Sequence, residues 1–157
     1  MNLSQPKIDP PPVIVTAAQG RVLHAFGEQA TILLDGQSTG GLFTSFIEVT
    51  PPGGGPPPHY HDREDEWFYI LEGSVSFFTN GQWSDAHPGD TVFAPRGSIH
   101  TFKNNTDCPT RMLIHTTPSG FENFLAEAAA EFAKPEGPDL ERAVRIAEAH
   151  GIHFVKP

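Results

Sequence analysis

A chain of 157 residues, with 38% hydrophobic and 18% charged positions, is long enough to bury a sizeable core in one globular unit. Its formal charge of −9 supplies no basic footprint for a phosphate backbone, which argues against nucleic acid as a partner, and no stretch approaches the roughly 20 apolar residues that span a bilayer. Cys108 is the only cysteine, so an internal disulfide is ruled out and a reducing compartment fits; the start, MNLSQPKIDPPP, has neither a basic n-region nor an apolar run, and the expectation is a soluble cytoplasmic protein without membrane contact.

Sixteen prolines, 15 glycines and 12 phenylalanines point to short strands and tight turns around an aromatic interior, hence an all-β chain. Residues 1–12 carry four prolines and read as an extended arm. Strands are expected over 21–26, 31–34, 42–49, 66–71, 74–79, 82–86, 91–94, 98–103 and 111–117. Turn signals separate many of them: Asp35-Gly36, Gly40-Gly41, Asn80-Gly81 and Pro88-Gly89-Asp90. Strands this short and this evenly spaced imply a sandwich or barrel over 13–118, since doubling or closing a sheet protects its edges.

The composition changes at Ser119. Ser119 and Glu122 make an S-x-x-E capping box, and Phe121, Phe124, Leu125, Ala128 and Phe132 recur at helical spacing, so a helix packed on the strands is expected. After the breaker at 134–138, Asp139 is placed to cap a second helix running to about Ala149, with Gly151 as its stop. A last strand over 152–155 completes a helical extension and tail, 119–157, of the same domain.

One stretch stands out chemically. In HYHDREDEW, His59 and His61 lie two apart, and residues i and i+2 of a strand share a face. Glu66 opens the strand that follows, and His100 sits beyond the Pro95-Arg96-Gly97 turn. Three neutral imidazoles and a carboxylate suit a divalent transition metal (Fe, Mn, Ni, Co, Cu or Zn) better than Ca or Mg. The other histidines read as core or surface residues, with His115 the least settled.

These residues resemble the two motifs of the cupins. The first, a Gly, five residues, His-x-His, three or four residues, Glu, six residues and Gly, is met by Gly53, His59, His61, Glu66 and Gly73. The second, a Gly, five residues, Pro-x-Gly, two residues, His, three residues and Asn, is met by Gly89, Pro95, Gly97, His100 and Asn104, with 15 residues between the motifs. The ending, TTPSGFENFLAE and then AEAHGIHFV, is similar to that of small single-domain, quercetin dioxygenase-like cupins. The resemblance implies a jelly-roll β-barrel with C-terminal α-helices packed on it, and His59, His61, Glu66 and His100 as metal ligands. Its spacing prefers Glu66 over Asp65, with Glu64 a weaker rival.

The leading expectation is a metal-dependent, dioxygenase-like oxidoreductase acting on a small aromatic or enolic molecule. Glu66 serves as ligand and as proton acceptor, and Phe68, Ile70 and Phe102 line an apolar pocket. The alternatives are a Lewis-acid isomerase, epimerase or decarboxylase of a sugar or small acid, for which Arg96 is the nearby basic candidate, and a ligand-binding or sensing cupin without turnover. A second copy of the chain is the expected protein partner; a monomeric mass in solution at micromolar concentration refutes that.

Overall fold

The computed structural model describes residues 9–155. Residues 1–8 of the expected arm lie outside them. The first six strands in chain order are β1 (Arg21–Ala25), β2 (Glu28–Leu34), β3 (Thr44–Thr50), β4 (His59–His61), β5 (Asp65–Glu72) and β6 (Val75–Thr79). They are followed by β7 (Gln82–Ala86), β8 (Thr91–Ala94), β9 (Thr101–Lys103), β10 (Thr110–Thr117) and β11 (Ile152–Phe154). Local chemistry explains the tight hairpin between β6 and β7, since Asn80 and Gly81, at φ 52° and 79°, meet the demand of a two-residue turn for left-handed backbone at both positions.

Six strands form one antiparallel sheet in the order β1-β2-β3-β10-β5-β8. The remainder form β7-β6-β9 and β11-β4, and reciprocal backbone hydrogen bonds between His59 and His100, at 3.0 and 2.9 Å, tie these two into a second layer. The layers meet through aromatic rings, Phe68 of β5 lying 5.1 Å from Phe77 of β6 and 5.9 Å from Phe102 of β9 between centroids. A jelly-roll-like arrangement of strands is what this gives; the hydrogen-bonded sheets of the described residues stay open and do not close into a barrel.

Alternation decides what faces inward. On the large sheet Ile32, Phe46, Ile114 and Phe68 lie in register across four strands and are all buried, and Met112 and Ile70 make the next row. Each such side chain contributes roughly 1.5–3 kcal/mol by leaving water.

Most strands shift by one to three residues at one end or both, and three expectations change further. The Asp35-Gly36 pair starts a short helix, α1 (Gly36–Thr39), because the Asp35 carboxylate accepts from the Ser38 N–H at 2.9 Å and acts as a cap. The strand expected over 98–103 shortens to β9, since Gly97 adopts φ 81° and Ser98 turns back onto the Pro95 carbonyl. The helices α2 (Phe121–Phe132) and α3 (Leu140–Ala149) both form, with Asp139 capping α3 as expected, but the Ser119–Glu122 capping box does not. Gly120 caps α2, and the Glu122 carboxylate accepts from the backbone N–H groups of Gly36 and Gly120 and from the Thr44 hydroxyl, bracing α2 against α1 and β3. No helix among the described residues is long and apolar enough to cross a membrane.

Candidate metal centre

In β4 the side chains of His59 and His61 point inward and that of Tyr60 does not, because three extended residues alternate. The same alternation in β5 buries Glu66 and leaves Asp65 on the other face, where Arg96 holds it through backbone N–H, Nε and Nη2 at 2.9 to 3.0 Å. Asp65 is therefore committed outside, and so is Arg96. His100 enters from the second layer, its backbone locked to His59. The Gly97 N–H donates to the His61 carbonyl at 2.6 Å, so the second-motif turn is anchored on the first-motif strand.

One donor atom from each of His59, His61, Glu66 and His100 falls within 4.8 Å of the others, and all four residues are buried. Glu66 Oε2 lies 3.0 Å from His100 Nε2 and 3.4 Å from His61 Nε2. The rings are oriented from behind: His59 Nδ1–H donates to the Pro57 carbonyl at 2.8 Å and His100 Nδ1–H to the Ser98 carbonyl at 3.0 Å, which leaves Nε2 of each free to act as a ligand. His61 Nδ1 faces the buried Glu64 Oε2 at 3.4 Å, so Glu64 is a partner of a histidine and stands behind the cluster.

The residues fit a divalent metal on two observations. His61 Nε2 is buried with no hydrogen-bond partner, an orphan that a cation would satisfy. The protonation states of His59 and Glu66 also match what a ligand set requires, a neutral imidazole and an ionised carboxylate. Burial, helped by the neighbouring His100 and His61, pushes His59 down to about 4. Burial would raise Glu66, but the surrounding imidazoles, His61 foremost, hold it below the usual carboxylate value. Burial would likewise lower His100, and its hydrogen bond to Glu66 turns the shift upward.

His59 and Glu66 form one end of a narrow cavity of about 60 Å³, whose walls include Phe46, Phe102, Phe121 and Phe154. Phe102 lines it, whereas Phe68 and Ile70 share the inward face of Glu66 but are fully buried in the core beside it and do not reach the cavity. No lysine or arginine among the described residues lines it. Two further carboxyls, Glu28 and Glu48, which sequence reasoning passed over, also line it; on β10, Met112 opposite Glu48 lies four residues from Thr116 opposite Glu66, which sets them away from the histidine cluster. Burial raises both, Glu28 to about 7 and Glu48 well above the usual range, with the Glu28 and Glu66 charges adding to the effect on Glu48. The one signal was parity: Glu48 is two residues from Phe46 and shares its face. Phe121 and Phe154, also passed over, reach the site from α2 and β11, with centroids 5.4 Å from His61 and 6.2 Å from His59. His115 lies on the opposite face, half-buried against Phe43 at 4.3 Å.

Comparison with known proteins agrees with this layout. A family described as "Cupin domain" matches residues 46–116, which span both motifs. Quercetin 2,3-dioxygenase of Bacillus subtilis is 25% identical over 152 residues, covering 93% of this chain and 45% of the relative. The chain spans 45% to 64% of the length of such curated relatives. Among solved structures, a cupin-superfamily sugar phosphate isomerase from Silicibacter pomeroyi matches with a TM-score of 0.52 and 28% identity over 58% of this chain and 59% of that one. KdgF from a Halomonas species matches in fold, with a TM-score of 0.63 and 17% identity over 71% of this chain and 99% of that one.

Proposed function

The chain belongs to the cupin superfamily, and from that premise we propose that it is a metal-dependent, dioxygenase-like oxidoreductase acting on a small aromatic or enolic substrate. The observation that carries this reading is a buried three-histidine, one-carboxylate cluster, of which His59 and Glu66 line an aromatic-walled cavity. When bound there by His59, His61, Glu66 and His100, a first-row divalent metal supplies Lewis acidity toward an enolic or catecholic oxygen and an electron path to dioxygen.

The chain's own residues do the rest. Glu66, ionised and at the cavity end, accepts the proton of the substrate hydroxyl. Phe102, Phe121 and Phe154 sandwich a planar ring and keep water out. A volume of about 60 Å³, smaller than the roughly 150 Å³ of an apolar cavity that holds benzene, means that the walls must part to admit even a single ring. The isomerase reading lacks its cation, since Arg96 is engaged with Asp65 outside the cavity.

The test is oxygen uptake. Metal-loaded protein is mixed anaerobically with catechols, small diketones and flavonols, and air is then admitted. A shifted absorption band followed by oxygen consumption is expected with at least one class. Absence of both across the panel contradicts the reading.

A further inference from the structure

We propose that Glu28 and Glu48 form the distal polar locus of the cavity, selecting an uncharged substrate that carries a hydroxyl donor at its end remote from the histidine cluster and rejecting one that is anionic there. The inference rests on the reading of this cavity as the substrate site.

The geometry comes from β2 and β3. Glu28, Ala30 and Ile32 share the inner face of β2, and Phe46, Glu48 and Thr50 that of β3. Ala30 lies directly opposite Glu48, and its small side chain leaves the Glu48 carboxyl room. Both carboxyls line the cavity that His59 and Glu66 close at its other end, and both also line a smaller adjoining void. Glu48 is only 7% exposed, yet its Oε1 has no hydrogen-bond partner, and neither has Oε1 of Glu28.

Other buried acids of this chain are treated differently. Glu131 accepts from Lys134 at 2.7 Å, from Arg142 at 3.1 Å and from the Asp139 N–H at 3.0 Å, and Glu122 accepts from two backbone N–H groups and a hydroxyl. The acids that brace the helices are thus fully partnered here, whereas the two that face the cavity, like Glu64 beside His61, each keep an oxygen without a hydrogen bond. Unpartnered acceptors in an apolar wall call for a donor from the cavity itself. With two such carboxyls on one wall, burial and mutual repulsion favour keeping a proton on one of them, so the pair both accepts from a hydroxyl and donates to its oxygen. A substrate carboxylate or phosphate at that end meets like charge, with no lysine or arginine among the described residues of the cavity wall to relieve it.

The experiment uses three catechols of similar size that differ only at the distal position: 4-(hydroxymethyl)catechol, 4-ethylcatechol and 3,4-dihydroxybenzoate. Affinities for the metal-loaded full chain are measured anaerobically by titration calorimetry, before any turnover. The hydroxymethyl compound is expected to bind roughly fivefold tighter than the ethyl compound, the worth of one hydrogen bond, and the benzoate to bind weakest. In Glu48→Leu the order of the first two reverses. In the near-isosteric Glu28→Gln/Glu48→Gln protein, which guards against a folding defect in the first variant, the benzoate gains at least about tenfold, as expected for lost charge repulsion. Equal affinities in the wild type, or a benzoate penalty unchanged in the double variant, overturn the proposal. Distal selectivity without later oxygen uptake sinks only the oxygenase reading; oxygen uptake indifferent to the distal group sinks only this one. Failure of all three compounds to bind sinks this proposal and leaves the oxygenase reading to the wider panel.

Discussion

Both ends of one cavity bury carboxylates, and their surroundings push them in opposite directions. At one end Glu66 sits among three imidazoles and is held ionised, with His59 and His100 oriented from behind by backbone carbonyls. At the other, Glu28 and Glu48 have the Thr50 hydroxyl, apolar neighbours and each other, and burial raises both above the usual carboxylate range. Burial alone therefore does not set the charge of an interior acid in this chain; the company of potential ligands does. One end gathers four potential ligands, and the other is left short of a donor.

The contrast is sharpest in stability against pH. Glu28 rises from an ordinary value of 4.5 to about 7, so the folded state binds its proton more tightly than the unfolded chain does. The stabilisation from this group is fully present below about pH 4.5 and is lost as pH rises through about 7. Between pH 5 and 8 the wild type should lose up to about 3 kcal/mol that Glu28→Gln retains, read by urea unfolding of the two proteins side by side so that titrations at the histidines cancel. Parallel pH profiles would break the contrast. A smaller effect is expected at the cation end. Glu64→Gln, which leaves the four candidate ligands in place but removes the charge facing His61 Nδ1, should weaken metal affinity by about tenfold in a chelator competition. Unchanged affinity would show that His61 is oriented without Glu64.

The two ends also differ in how far the sequence discloses them. His59, His61, Glu66 and His100 were legible because their placement depends on local spacing and strand alternation, and the same alternation separates Glu66 from Asp65. The two helices were legible from their apolar periodicity. The Glu28–Glu48 pair was not, because it arises only when β2 and β3 take their register, with Ala30 opposite Glu48. Glu122 misled for a related reason: read locally it completes a capping box, yet in the fold it reaches Gly36, 86 residues away, where an unpaired N–H awaits it. Phe121 and Phe154 come to the site from elements distant in sequence, and only tertiary packing brings them there.

The most direct measurement is metal content and donor type together. Protein purified without chelator, and a His61→Ala variant with unchanged circular dichroism, are analysed by elemental analysis and by X-ray absorption at the metal edge. About one first-row transition metal per chain, bound by nitrogen and oxygen donors alone and lost from the variant, is the expected result. No metal in the wild type after loading, or metal retained equally by His61→Ala, would contradict a four-residue centre built on His59, His61, Glu66 and His100.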